Sequence, residues 1–386
     1  MSNASDVRKT YKYRLYRCDK KDRKLRHMIF VASTIWNHFI ALQRRYYRLT
    51  GQYLSYETMS KHVLKLRHTK RFALWQDLHS QACQDVCRRV DAAYQRFFNK
   101  LAKGRPKFRK AKKYRSFTFP QSGYKVEGRT VTIGGTTYKF VKHREIGGVV
   151  KTLTIKRDSV GRLWLVFSVL EKVTIPETST GHSGGFDFGL KDFLVDDHNQ
   201  RHESPQFYKQ GLRKTRQLSR DLSRKVEGSN HHKRARRALA THQAHLANQR
   251  RNHHFRLAHD LCAALDVLCF EDLNLSGMKA LWGRKASDLG FASFLSILEW
   301  VAFKRGKTVV QIDRFAPSTQ VCSGCGHVHA LTLRDRTLTC RCGLTIDRDH
   351  NAAINIHRIG TSMLNHSVSK TQARLRRRVD GRSPRL

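Results

Sequence analysis

Four cysteines confined to 21 residues constrain this chain more tightly than any other feature. Cys322-x2-Cys325 and Cys340-x-Cys342 enclose fourteen residues, and a turn-permitting glycine, Gly326 or Gly343, follows each pair. This is the spacing of two knuckles that bring four thiolates onto one tetrahedral Zn2+. The second knuckle is one residue shorter than the commoner C-x-x-C. A closed four-sulfur site leaves no open coordination position, so the single zinc expected here is structural. The remaining cysteines, Cys18, Cys83, Cys87, Cys262 and Cys269, are scattered. An odd total, without an apolar leader after Met1, points to a reducing compartment instead of a disulfide framework. Cys83 and Cys87, four apart, share a helix face and read as packing residues.

Charge is the second constraint. The 386 residues carry 75 Lys plus Arg against 30 Asp plus Glu, a formal +45. Such an excess repels itself unless a polyanion shares the surface, so the expected partner is nucleic acid. The length suggests two or three domains of roughly 150 residues. No apolar run reaches the ~18 residues of a membrane span, and secretion is likewise not expected. Residues 103–115 hold eight basic residues in thirteen, with Phe108 and Tyr114 interleaved. Residues 209–256 hold fourteen Lys and Arg against Asp221 and Glu227 alone. Cations neutralise phosphates and aromatic rings stack on unpaired bases, so both stretches are candidate nucleic-acid contacts. The seven histidines from His231 to His259 are spaced too irregularly for a metal site and read as surface or RNA-facing.

Periodicity divides the chain. Lys12–Tyr16 alternates as a strand does; Ile29, Ala32, Ile35, Trp36 and Phe39 share one helical face that stops at Gly51. A second helix is predicted over Leu78–Leu101, with Ala82, Val86, Val90, Ala93 and Phe97 inward. Short strands follow at Thr130–Ile133, Thr152–Lys156 and Leu163–Leu170. A Thr/Ser/Gly-rich stretch from Pro176 to Ser183 reads as a linker. Beyond it come a strand around Asp187, a turn at Asp197–Gln200, two basic helices over 209–256, a strand ending at Glu271, an apolar helix Phe291–Phe303 and a strand Thr308–Ile312. The tail from His357 is Arg-rich with little apolar pattern and is expected to be disordered.

Asp187, Glu271 and Asp349 stand at strand or helix ends in apolar surroundings. Buried carboxylates are costly unless paired or metal-bound. Three of them converging could hold two Mg2+ about 3.5–4 Å apart for phosphodiester hydrolysis. Taken singly, each could equally be a helix cap or an ion-pair partner.

Gly185-Phe-Asp-Phe-Gly-Leu-Lys-Asp-Phe193, Phe270-Glu-Asp-Leu-Asn-Leu-Ser-Gly-Met278, Pro317-Ser-Thr-Gln-Val-Cys-Ser-Gly-Cys-Gly326 and Asp347-Arg-Asp-His-Asn-Ala-Ala-Ile-Asn355 follow one another along the chain. In this order they resemble TnpB, a family of transposon-encoded RNA-guided DNA endonucleases related to type V CRISPR effectors. Trp36-Asn37, Ala93-Tyr-Gln-Arg-Phe-Phe98 and Gly104-Arg-Pro-Lys-Phe-Arg109 extend the likeness over nearly the whole chain. The resemblance implies a multidomain α+β and α/β chain. An N-terminal β-barrel (wedge) at 1–20 and 103–175 would carry a helical recognition insert at 21–102. A split RNase H-like (RuvC) domain at 184–315 and 345–358 would carry a zinc ribbon at 316–344, before a disordered basic tail at 359–386.

Carried over residue by residue, Asp187, Glu271 and Asp349 match the catalytic, Mg2+-binding acids. Asp347 is read as a supporting neighbour, and Asp192 and Asp272 as local hydrogen-bond partners. The implied partners are a guide RNA from the transposon end and double-stranded target DNA beside a short adjacent motif. Neither a membrane nor an obligate protein partner is implied, and the implied location is the prokaryotic cytoplasm, at the nucleoid. Gln84, with Tyr56, Ser60 and Gln121, are candidate motif readers; Lys107 and Arg109 are candidate phosphate contacts. Two other classes stay open: an RNA-guided repressor with a dead nuclease site, and an RNase H-fold transposase.

Overall fold

The computed structural model describes residues 4–176, 179–274, 277, 283, 288–332 and 335–381. The chain divides into two compact units, one spanning Asp6–Lys172 and the other built mainly from Val173 onward. Among the described residues no helix is long and apolar enough to cross a membrane.

The first unit opens with strand β1 (Ala4–Arg14) and helix α1 (Asp19–Thr50). Ile29, Ala32, Ile35, Trp36, Phe39 and Ile40 line the buried face of α1, as the periodicity predicts. Gly51 ends it at φ 69°, returning its N–H to the Tyr47 carbonyl at 2.8 Å. Helix α2 (Tyr56–Leu66), capped by Ser55, has no counterpart in the sequence reading; α3 (Ser80–Phe98) lies where the apolar spacing puts it. Cys83 and Cys87 are buried in α3, their thiols directed at the Leu78 and Met59 carbonyls, as packing residues are.

Strands β2 (Ser116–Phe119), β3 (Tyr124–Glu127), β4 (Thr130–Ile133), β5 (Thr136–Lys139), β6 (Val149–Arg157) and β7 (Leu163–Thr174) complete the unit. They form two sheets, ordered β1-β7-β6-β2 and β3-β4-β5. The expected barrel is therefore not closed. The two sheets touch through one isolated bridge, Leu15 to Phe140, because the chain leaves strand conformation there to enter α1. Tyr13, Phe117, Phe119, Leu153, Ile155, Leu165 and Phe167 share one core with the helices of the supposed insert.

The second unit holds β8 (Ser183–Phe188), β9 (Asp192–Asp196) and β10 (Arg201–Glu203). Helices α4 (Phe207–Gln210), α5 (Leu212–Ser223) and α6 (Asn230–Ala264) follow, then β11 (Val267–Glu271), α7 (Phe291–Lys304) and β12 (Thr308–Ile312). A hairpin of β13 (Thr337–Thr339) and β14 (Thr345–Asp347) leads into α8 (Arg348–Gly381). The sheet order is β10-β9-β8-β11-β12, with β8, β11 and β12 parallel and β9 antiparallel to β8.

Strand alternation sorts the side chains. Phe186, Phe188, Leu268 and Phe270 join α6 and α7 in one cluster, whereas Cys269, Val310 and Ile312 meet Ile356 of α8. The helix lies so close to β8 that a Cβ at Gly185 would stand 2.3 Å from the Ala353 carbonyl oxygen. Gly360 does the same service over β11, where a Cβ would meet the Cys269 sulfur at 2.4 Å.

Three expectations change. The stretch taken as a linker is anchored: Thr180 and Gly181 donate backbone N–H bonds, and Ser179 its hydroxyl, to Asp266, which Lys307 also holds at 2.5 Å. The tail expected to be disordered from residue 359 continues as helix to Gly381, since Leu, Ala, Lys and Arg favour helix and no proline intervenes before Pro384. His254, read as a surface residue, is buried, stacked on Phe193 and bonded to the Leu289 carbonyl.

Candidate functional site

Asp187 sits between two buried phenylalanines on β8, so its side chain points to the opposite face, toward α8. Phe186 pairs with Phe270 across β8 and β11, which sets Asp187 and Glu271 side by side at the carboxyl ends of parallel strands. Asp349 comes from the first turn of α8, on the same face. All three are half-buried. Burial, with the charges of Asp349 and Glu271 adding to it, pushes the Asp187 carboxyl up to about 7. Burial also raises Glu271, against a 3.5 Å approach of the Ser318 hydroxyl to one of its oxygens. Like charges placed this way form a site that favours a cation, and an all-oxygen donor set suits a hard one such as Mg2+.

The neighbouring acids are committed elsewhere. Asp347 accepts the Asp349 and His350 amides at 3.0 and 3.2 Å, capping α8, and its other oxygen meets Arg201 at 3.1 Å. Burial works against its ionisation, but the His350 amide and Arg201 outweigh it and hold the carboxyl low. Arg201 bridges to Asp192 as well, at 2.8 Å, and Asp272 is paired with Arg314 at 2.5 Å.

The four cysteines form a tighter group. Their sulfurs all lie within 4.8 Å of one another; Cys322 to Cys342 is 3.8 Å and Cys325 to Cys340 is 3.5 Å. A tetrahedron of sulfurs about 2.3 Å from zinc requires edges of about 3.8 Å. The Cys325 and Gly324 amides aim at the Cys322 sulfur and lower its thiol to about 7. The group could bind a metal such as zinc. Among the described residues, no other set of three or more potential ligands converges so closely, the three carboxylates being more widely set.

Two asparagines couple the sites, and sequence reading assigned them no role. Asn351 donates to the Val321 carbonyl and accepts the Ser323 amide, both at 2.8 Å. Asn355, one turn later on α8, donates to the Ser318 and Val321 carbonyls at 2.8 and 2.7 Å. Both are buried. Their i, i+4 spacing was the available signal. His350 and His357 reach Asp197 from the same helix at 3.1 and 2.6 Å. Thus α8 is tied both to the cysteine knuckle and to the turn after β9.

In the first unit, Tyr56, Gln84 and Gln121 line one groove of about 340 Å³ with Arg8, Arg88 and Lys151. Arg88 lies over the Tyr56 ring at 5.1 Å. Ser60 does not line this groove: it is buried along α2 beside Met59 and Val63. Residues 103–115 are strapped onto α1. Asn37 brackets Arg109 through both its N–H and its carbonyl, Trp36 donates to the Lys107 carbonyl, and Arg44 lies over Phe108 at 4.7 Å. Tyr114, expected to stack on bases, is buried against Trp36; Phe108, Lys107 and Arg109 stay exposed.

Family models match residues 1–52 ("Helix-turn-helix domain"), 166–281 ("Probable transposase") and 291–356 ("Cas12f1-like, TNB domain"). Among its described residues, the first of these segments forms one strand and one 32-residue helix, without a second helix. A Streptomyces pristinaespiralis protein named "Putative RNA-guided DNA endonuclease" is 27% identical, over 91% of this chain and 89% of that one. The Escherichia coli K12 protein "Putative RNA-guided DNA endonuclease InsQ" is 24% identical over 92% of each. The structure titled "Cryo-EM structure of the Cas12f1-sgRNA-target DNA complex" matches with a TM-score of 0.58 at 13% identity, covering 88% of this chain and 83% of that chain. The fold is therefore the multidomain α+β arrangement of Cas12f1. Within that fold, these matches make the chain similar to TnpB-family proteins.

Proposed function

We propose that this protein is an RNA-guided, Mg2+-dependent endonuclease that cuts double-stranded DNA beside a short adjacent motif. The observation that carries the reading is the meeting of Asp187, Glu271 and Asp349 on one face of a sheet ordered 3-2-1-4-5, with its second strand antiparallel. The RNase H-like nuclease domain implied by the TnpB resemblance would place its acids in this way. Asp187, Glu271 and Asp349 would hold two Mg2+, which when bound supply an activated water and neutralise charge on the leaving oxygen. Around them Ser318 orients Glu271, and Arg348 draws the Asp187 carboxyl back toward ionisation. Asp347 fixes the start of the helix that presents Asp349. The cysteine group is read as one structural zinc that steadies the approach to α8.

The +45 charge supports a nucleic-acid load larger than the target alone, which we read as a guide RNA from the transposon end. Base pairing would then read sequence, and the groove of Tyr56, Gln84 and Gln121 the adjacent motif.

Asp187→Ala, Glu271→Ala and Asp349→Ala should each abolish cutting while leaving RNA and target binding intact, because these groups act on the transition state. Asp347→Ala should be milder. If Asp349→Ala cuts at the wild-type rate while Asp347→Ala does not, the assignment within that motif is wrong. The description of the 166–281 family model favours a second reading, strand transfer by a transposase. Sequencing RNA that co-purifies, then asking whether cutting follows its guide, separates the two.

A further inference from the structure

Segment 313–318 begins and ends at Glu271. Ile312, the last residue of β12, is the register partner of Glu271, and Ser318 brings its hydroxyl back to that carboxylate. Between them the chain is held firmly. Asp313 accepts the Phe315 amide on its side chain at 2.8 Å and the Ala316 amide on its carbonyl at 3.0 Å. Arg314 is paired with Asp272, the residue after Glu271, at 2.5 Å. Ala316 packs inward on the Cys269, Val310, Ile312 and Ile356 cluster, and Pro317 restricts the backbone beyond it.

This anchoring turns Phe315 outward. At 86% it is the most exposed large apolar side chain among the described residues. A small apolar cluster lies one residue away, yet the turn gives that place to Ala316 and leaves the ring in solvent.

We propose that Phe315 is a substrate-positioning residue, stacking on an unpaired base of the DNA strand that is cut at the carboxylate site; this rests on the nuclease reading above. Aromatic rings beside cations bind single strands because every base has a π face. Here the cation is Arg314 and the phosphodiester site adjoins both ends of the segment. A paired base, already stacked within its duplex, offers no such face.

The test uses the RNA-loaded protein and a matched target. Phe315→Ala should slow single-turnover cleavage about fivefold to a hundredfold, with melting temperature and target binding unchanged. Phe315→Trp should restore most of the rate, whereas Phe315→Leu, which keeps bulk without a π face, should behave as Ala. A 2-aminopurine-labelled single strand should be quenched more by wild type than by Phe315→Ala. Wild-type cutting by Phe315→Ala, equal rescue by Leu and Trp, or a lowered melting temperature in Phe315→Ala would each overturn the proposal. Asp187→Ala serves as the parallel arm. If it still cuts, the nuclease reading fails; if it is dead while Phe315→Ala is unaffected, only the stacking role falls.

Discussion

Gly185→Ala probes the link between helix packing and the acidic site through a single methyl group. Gly185 lies two residues before Asp187, and a Cβ added there would meet the Ala353 carbonyl oxygen at 2.3 Å and the His357 nitrogen at 2.5 Å. Both contacts are backbone of α8, so no side chain can swing away. To regain ordinary contact α8 must withdraw by about 1 Å, a displacement that can cost a catalytic site ~10²-fold. Overpacking of this kind destabilises by about 1–3 kcal/mol, which lowers the melting temperature by about 2–12 °C in a unit of this size. Thermal melting and single-turnover cleavage by the RNA-loaded protein read both effects. Gly104→Ala, with nothing within 4 Å of the new Cβ, is the control for stability and should leave the melting temperature unchanged. An unchanged melting temperature would refute the packing argument. A lowered one with a wild-type rate would show that the place of Asp349 does not depend on the seat of α8.

Three further outcomes follow from other parts of the molecule. Elemental analysis should find one zinc per chain, and Cys322→Ser with Cys325→Ser should remove it and slow cutting, because Asn351 and Asn355 tie that knuckle to α8; full zinc in the double variant would move the site elsewhere. Gln84→Ala should shift the preferred flank in a randomised DNA library, whereas Lys107→Ala should weaken binding on all flanks and lower the salt slope by about one; an unaltered preference in the Gln84 variant rejects that reader. Lys307, then the Ser179 hydroxyl, hold the Asp266 carboxyl far below its usual range. The stability it lends is therefore full above about pH 4 and drains as acid protonates it. Asp266→Asn should melt lower than wild type at neutral pH, with the gap narrowing below that point, and a gap independent of pH would contradict the ion pair.

What the sequence made legible was local. The cysteine pairs, the strand around Asp187, the one ending at Glu271 and the apolar faces of α1 and α3 each rest on spacing within a few residues. Closure of the barrel could not be read that way, because it turns on whether β5 meets β1 beyond Leu15, more than a hundred residues apart. Tyr114 and Ser60 were misjudged for a related reason: polarity and neighbours suggest a surface, but Trp36 covers one and the packing of α2 covers the other. His254 was hidden among six other histidines, and only the stack on Phe193 distinguishes it. Asn351 and Asn355 were visible as part of a motif, yet their partners lie some thirty residues earlier at the knuckle.

The descent of α8 onto β8 also sets a timetable. Asp187 and Asp349 are 162 positions apart in the chain. A ribosome adds about 5–20 residues each second, so roughly 8–30 s pass between the synthesis of one acid and the other. Through that interval the nascent second unit has a strand with a bare glycine track and no helix to fill it. The first unit, by contrast, is complete much earlier along the chain. A chain that stops short of α8 therefore carries Asp187 without Asp349 and, on the function proposed above, would lack a complete acidic site.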